Sequence, residues 1–151
     1  MKEKELYIMN KVNQELKYNL KEADYKYSRF DAYDDNYIAE IKFREKDYDR
    51  VLIEFDKYTF NKEYAKYNQK YFLYIIAVPK PKKMIYIYNI TEIDNKTSNF
   101  YRWNWTDKMP KQTEFKNTEK DWKYVGYIDK IYNSGIIELE QGDINEKQRM
   151  L

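Results

Sequence analysis

The eight residues Tyr71 to Val78, Tyr-Phe-Leu-Tyr-Ile-Ile-Ala-Val, do most to limit what this chain can fold into. The run is short for a helix, and its β-branched and aromatic content favours a strand. A strand that is apolar without alternation belongs in the middle of a sheet, buried rather than half-solvated. Pro79-Lys80-Pro81-Lys82-Lys83 follows it. Proline cannot donate to a strand ladder, so this segment is a turn outside the sheet, and Met84 to Ile90 reads as the next strand. Lys80, Lys82 and Lys83 on that stiff tip are candidate contacts to a phosphate backbone, although a solubilising loop is the commoner explanation.

A second pair of strands precedes this one. Ser28 to Arg44 reads as a hairpin reversing at Asp34, Asp35 and Asn36. Side chains alternate along a strand, so Glu40 and Lys42 share a face with Ile38 and Arg44, while Tyr37, Ala39, Ile41 and Phe43 take the other. With Asp34 and Asp35 as a two-residue turn, Tyr33 pairs with Asn36, Asp31 with Ile38 and Arg29 with Glu40. Asp31 then lies diagonal to Glu40, roughly 5–8 Å away at Cβ and close enough for two carboxylates to share one ion. A four-residue turn preserves that parity; a three-residue turn sends Asp31 to the opposite face. An ordinary solvated sheet face would show the same alternation.

Glu3 to Leu20 reads as an amphipathic helix with Met9, Val12, Leu16 and Leu20 as its apolar stripe. One turn further back the stripe meets Glu5, a carboxylate at the end of a buried face, which is costly without a partner. The helix dipole also favours an acid in this first turn. Lys21 to Asp24 is a polar connection. After the charged loop Glu45 to Arg50, Val51 to Phe55 is short and apolar, consistent with a third strand. Asp56 is placed to cap a helix from about Lys57 to Gln69.

Asp31 followed by Glu40-Ile41-Lys42 resembles the signature of the PD-(D/E)XK nuclease superfamily of restriction enzymes, phage endonucleases and Holliday-junction resolvases, with Phe30 standing where that signature has proline. The order helix, hairpin, helix, strand over about Glu3 to Ile90 is also similar. The resemblance implies an α+β fold: a central mixed β-sheet flanked by helices, a restriction-endonuclease-like core over residues 3–90, and an irregular C-terminal extension over 91–151, in one domain. It further implies Mg²⁺ (or Mn²⁺) held by Asp31, Glu40 and the carbonyl of Ile41. Lys42 would orient the attacking water, Glu5 would complete the site from the first helix, and Lys57 would add positive charge near the scissile phosphate. The partner implied is DNA, and a junction substrate would require a homodimer.

Composition removes the competing chemistries. The 151 residues contain no cysteine and no histidine, which excludes thiolate metal sites, Ser-His-Asp and Cys-His catalysis, and nucleases with a histidine base. With three glycines there is no glycine-rich phosphate loop, so no nucleotide cofactor is expected. A net charge of +2 places any basic surface locally rather than over the whole chain. No apolar run approaches the ~20 residues needed to span a bilayer, and the N-terminus lacks the apolar stretch of a signal peptide; the expectation is a cytoplasmic protein. The 18 tyrosines match the usage of an AT-rich coding sequence, in keeping with a phage or mobile-element origin.

Beyond Thr91, Phe100, Tyr101, Trp103 and Trp105 crowd around Arg102. They read first as a cap on the sheet and second as a stacking surface for unpaired bases. Lys108 to Thr113 reads as loop, Trp122 to Ile128 as a last strand, and the tail from Asn133 as polar, disordered or engaged in oligomer contacts. Tyr124-Val125-Gly126 superficially echoes the second motif of GIY-YIG nucleases, but no Gly-Ile-Tyr strand precedes it and no Arg and Glu helix pattern follows. Two non-catalytic alternatives stand beside the nuclease: an inactive protein of the same fold used for binding, and a plain tyrosine-rich interaction module.

Overall fold

The computed structural model describes residues 1–23, 29–96, 101–110 and 120–139. The chain begins with α1 (Glu3–Leu16), whose buried stripe is Ile8, Met9 and Val12. The helix stops at Leu16, short of the expected Leu20, because Lys17 adopts a left-handed conformation with φ 63° and its N–H donates to the Asn13 carbonyl at 3.1 Å. Asn13 then fixes the departing chain from both sides. Its Nδ2 donates to the Leu20 carbonyl and its Oδ1 accepts from the Leu20 N–H, each at 2.9 Å. Leu20 is still buried, delivered by the loop instead of the helix.

Two very short strands follow, β1 (Lys21–Glu22) and β2 (Ala32–Tyr33), then β3 (Tyr37–Phe43). The segment Lys21 to Asp24, expected to be only a connection, therefore supplies an edge strand. The hairpin register differs from the two-residue reading: Tyr33 pairs with Ile38 and Ala32 with Ala39. Asp34 causes this, because its Oδ1 accepts the N–H groups of both Asn36 and Tyr37 at 2.8 Å. The carboxylate thereby shapes a turn two residues longer, both of them, Asn36 and Tyr37, taken from the second arm. Residues 34–37 form the four-residue connection, the parity is kept, and Asp31 stays with the face of Glu40. Tyr25, Lys26, Tyr27 and Ser28 lie outside the described residues.

β4 (Arg50–Glu54) leads directly into α2 (Phe55–Tyr67), which begins at Phe55 with Glu54 at the cap position. Asp56 lies in the first turn and not at the cap. β5 (Tyr71–Val78) runs parallel to β3, with Glu40 beside Tyr74 and Lys42 beside Ile76. β6 (Met84–Asn89) returns antiparallel, α3 (Ile90–Lys96) follows, and β7 (Asn104–Pro110), β8 (Lys120–Asp129) and β9 (Gly135–Glu138) complete the order.

The architecture is mixed α+β. A six-stranded sheet runs β1-β2-β3-β5-β6-β9, and a three-stranded sheet runs β4-β8-β7. The large sheet is covered on both faces. One face packs Ala39, Ile41, Leu73, Ile75, Ile85 and Ile87 against Ile8, Met9 and Val12 of α1. The other packs Ile38, Phe72, Tyr74 and Ile76 against Val51, Ile53 and Ile128 of the small sheet and Ala65 of α2. Each fully buried isoleucine contributes about 1.5–3 kcal/mol.

Three expectations for the second half are corrected. The described residues beyond 90 are not an irregular extension, since β8 pairs with β4 and β9 with β6. Lys108 to Pro110 belongs to β7 and not to a loop, while 111–113 lie outside the described residues. The polar tail from Asn133 contains β9, which lines the open edge of β6. The strand Val51 to Phe55 exists in nearly the expected span, but in the small sheet. Among the described residues no helix is long and apolar enough to cross a membrane.

Candidate active site

The face of β3 that carries Glu40 and Lys42 is not the solvated side of a sheet. Because α2 and the small sheet cover it, Glu40 is only 3% exposed. Its Oε1 receives two ammonium groups, Lys42 Nζ at 3.3 Å from its own strand and Lys57 Nζ at 3.4 Å from the first turn of α2. Asp31 reaches the same strand from the other arm of the hairpin, where its Oδ2 accepts the Ile41 N–H at 2.7 Å. β2 ends at Ala32, so beyond Ala39 this edge of β3 has Asp31 as its neighbour among the described residues. A residue's N–H and C=O leave a strand on the same edge, so the Ile41 carbonyl also faces the Asp31 side.

A second acid–base pair stands beside this cluster. Glu54, the last residue of β4, is buried and accepts Lys123 Nζ of β8 at 2.6 Å. Burial alone would raise the Glu54 carboxyl, but the bond and charge of Lys123, with help from Lys42 and Lys57, hold it below the ordinary range. Lys57 shows the opposite balance. Burial disfavours its ammonium, yet Glu40 and Glu54 outweigh that and raise it. Sequence reasoning passed over Glu54 and Lys123. They are 69 positions apart and meet only through the β4–β8 pairing. The one visible sign was an acid closing an otherwise apolar strand.

Asp31 and Glu40 are both held above the usual carboxylate range. For Glu40 the main cause is burial, reinforced by the charge of Asp31 and opposed by Lys42 and Lys57. For Asp31 it is again burial, opposed by the Ile41 N–H and reinforced by the charge of Glu5. Glu5 is thus electrostatically coupled to Asp31 from α1. Among the described residues, however, no three Asp, Glu, His or Cys side chains are gathered closely enough to form a metal-holding group. Glu5 therefore does not join Asp31 and Glu40 as a third acid of one cluster.

The raised carboxyls fix a sign for the pH dependence of stability. A carboxyl raised in the folded state binds its proton more tightly there than in the unfolded chain. Its contribution is fully present below the ordinary carboxylate value of about 4 and is lost as pH rises through the raised one. Asp31→Asn, which keeps an acceptor for the Ile41 N–H, is therefore expected to be more stable than the parental protein at neutral pH. The difference should vanish below about pH 4. Urea unfolding of both proteins across pH 3–8 reads this (~0.5 unit steps suffice); an unchanging difference would refute it.

The turn lysines do not join the site. Lys83 is 8% exposed and its Nζ is buried without a hydrogen-bond partner among the described residues, so it is not a surface contact for DNA. Its burial follows from β9, whose neighbour Leu139 donates its N–H to the Lys83 carbonyl at 3.0 Å. Lys82 is exposed and lies 3.6 Å from Glu138, and Lys80 is exposed. All three lie past the end of β3 marked by the Phe43–Ala77 pairing. The aromatic group around Arg102 is mostly a cap. Tyr101 is buried with its hydroxyl donating to Asp94 at 2.7 Å, and the Trp103 ring packs between Phe55, Tyr58, Tyr101 and Tyr124. Trp105 remains 61% exposed. Phe100 lies outside the described residues.

Comparison of the chain with protein-family models, with curated proteins and with solved structures returned no match.

Proposed function

We propose that this protein is a divalent-metal-dependent DNA endonuclease of the PD-(D/E)XK type. The observation that carries the reading is the convergence of Asp31, Glu40, Lys42 and Lys57 on one half-buried stretch of β3. The donor set suits a hard cation. Among the described residues, hydrogen bonds and ion pairs engage only Oδ2 of Asp31 and only Oε1 of Glu40, leaving one oxygen of each. With the Ile41 carbonyl on the same edge, these are oxygen ligands of the kind Mg²⁺ accepts, and Mg²⁺ uses one or two carboxylates and fills its remaining positions with water. Both acids sit where burial and like charge work against them, which a cation would relieve.

When bound, such an ion would polarise the scissile phosphate and acidify a water, the task that histidine performs elsewhere. Lys42 would orient the attacking water and stabilise charge developing on the phosphoryl oxygens, with Lys57 as a second cation on the same carboxylate. The Glu54–Lys123 pair would hold the wall opposite and keep Lys57 protonated. Incubation with single-stranded, duplex and four-way-junction DNA, in Mg²⁺ or Mn²⁺ against a chelator, tests the proposal. Metal-dependent cutting of at least one substrate is expected, and no cutting of any would sink it. Symmetric paired cuts in the junction would further indicate a dimer.

One observation favours the non-catalytic alternative, a binding protein on the same scaffold. Two ammonium groups already neutralise Glu40. Thermal unfolding separates the readings: a metal site predicts a Tm that rises with Mg²⁺ and ceases to respond in Asp31→Asn. A closed ion-pair cluster predicts no response in either protein.

A further inference from the structure

A cavity of about 680 Å³ opens beside this site between the two sheets. That volume lies within the range of small-molecule sites, roughly 300–1,000 Å³. Its walls are largely apolar. Ile76, Val78, Tyr86 and Tyr88 line it from the large sheet, and Val51, Leu52 and Tyr127 from the small one. Tyr88 is fully buried, yet its hydroxyl has no hydrogen-bond partner among the described residues. A buried polar group left in that state is costly, and this one lies behind the cavity wall rather than on its surface.

The rim has a different character. Arg44, Lys46 and Arg50 outnumber Asp49 around the mouth, whereas Lys130 and Asp47 are paired with each other. Asp47 also accepts the Tyr86 hydroxyl at 2.7 Å, and the Lys130 ammonium lies 5.0 Å from the centre of the Tyr86 ring, so this wall is rigidly held. The occupant this suits is a planar, weakly polar ring system that enters between the sheets and carries an anion left at the mouth. A nucleobase with its phosphate has that form.

Position ties the cavity to the carboxylates. Arg44 follows Lys42 by two residues, a step of about 7 Å along an extended chain. Its guanidinium Nη2 is 3.3 Å from the hydroxyl of Tyr74, which in turn donates to the Leu52 carbonyl at 2.9 Å. Tyr74 is the register partner of Glu40 on β5. The cavity wall and the candidate metal ligands are therefore neighbours on one sheet face.

We infer that the cavity receives a single unpaired nucleobase flanking the cleaved phosphate. The substrate is then single-stranded DNA or the unpaired segment of a branched DNA, because a base inside a duplex must be extruded before it can enter such a slot. The assignment to DNA cleavage rests on the nuclease reading; the binding of a nucleotide does not.

The test uses deoxynucleoside 5′-monophosphates and, separately, inorganic phosphate, titrated into the full chain by NMR with a chelator present so that no cutting occurs. The monophosphates are expected to shift the resonances of Tyr86 and Tyr127, and inorganic phosphate is not. Arg50→Gln, at the exposed rim, should weaken monophosphate binding roughly tenfold, the usual loss for a charged hydrogen bond. Leu52→Trp, at a half-buried wall position, should abolish it, with folding checked by circular dichroism. Glu40→Gln should leave it within about twofold, a difference well under 1 kcal/mol. Monophosphate binding without any metal-dependent cutting would keep the nucleotide site and remove the nuclease, together with the cleaved phosphate beside that site. Metal-dependent cutting that treats duplex and single strands alike, with no monophosphate bound, would overturn the inference and leave the nuclease intact.

Discussion

Glu40→Ala and Lys42→Ala are each expected to lower metal-dependent DNA cleavage by about 10³-fold or more while leaving the chain folded. Ligation and charge stabilisation at a transferring phosphoryl group are each worth several kcal/mol, and every 1.4 kcal/mol is a factor of ten. The two variants should fail for different reasons. Glu40→Ala removes a ligand, so the Mg²⁺-dependent rise in Tm should disappear with the activity. Lys42→Ala leaves Asp31 and Glu40 in place, so metal should still stabilise the protein while cutting is lost. Neither variant should unfold the protein, because Glu40 is a buried acid that burial and Asp31 already oppose. Lys57→Ala should have a smaller effect, since Lys42 still neutralises the same oxygen. Single-turnover cleavage rates beside thermal melts in and out of Mg²⁺ make this comparison. Parental rates in both alanine variants would show that the carboxylate–lysine cluster is structural.

The largest stability effect is expected at a glycine. A Cβ at Gly126 would lie 2.6 Å from the Cβ of Tyr101 and 2.9 Å from two ring atoms of Trp103. Neither neighbour can withdraw. The Tyr101 carbonyl accepts the Tyr127 N–H at 3.0 Å, its hydroxyl is held by Asp94, and Trp103 is surrounded by four other rings. Gly126→Ala should therefore destabilise the protein by about 2–3 kcal/mol, the upper part of the range for overpacking. Gly135 is the internal control. A Cβ there would also meet an atom at 2.9 Å, but that atom is the Leu16 Cδ1, the free end of a flexible side chain. Gly135→Ala should cost less than about 1 kcal/mol. Urea titrations of the two variants read the contrast, and equal losses would show that the Tyr101–Trp103 wall is not rigid. Because β8 also carries Lys123, Gly126→Ala should loosen the Glu54 pair and reduce any cleavage as well.

These residues also mark how far the sequence could be read. The hairpin and α1 were legible from their periods, the central strand from an unbroken apolar run, and α2 from the acid near its start. Counting put Asp31 and Glu40 on one face for a two- or four-residue turn and on opposite faces for a three-residue one, and the structure has four. The exact register did not, since Asp34 binds two backbone N–H groups and lengthens the turn, a local preference that alternation cannot reveal. The end of α1 was hidden similarly: Leu20 continues the apolar stripe, but the Asn13 side chain diverts the backbone before reaching it. Long-range pairing was least visible. Nothing in Gly-Ile-Ile-Glu announces β9, and nothing near Glu54 points to Lys123. Those contacts arise from how the sheets fit together, so the outer wall of the candidate site could be found only in three dimensions.

The last strand carries a further consequence. β6 is buried along nearly its whole length, yet among the described residues the strand that pairs its outer edge is Gly135–Glu138, 46 positions or more downstream. As the chain leaves the ribosome, β3, β5 and β6 are complete long before that partner is made. During this interval an apolar ladder stands open, ready to zip onto any passing extended chain. Chains shortened before residue 135 should therefore clump during synthesis even though every group proposed to touch the phosphate is retained.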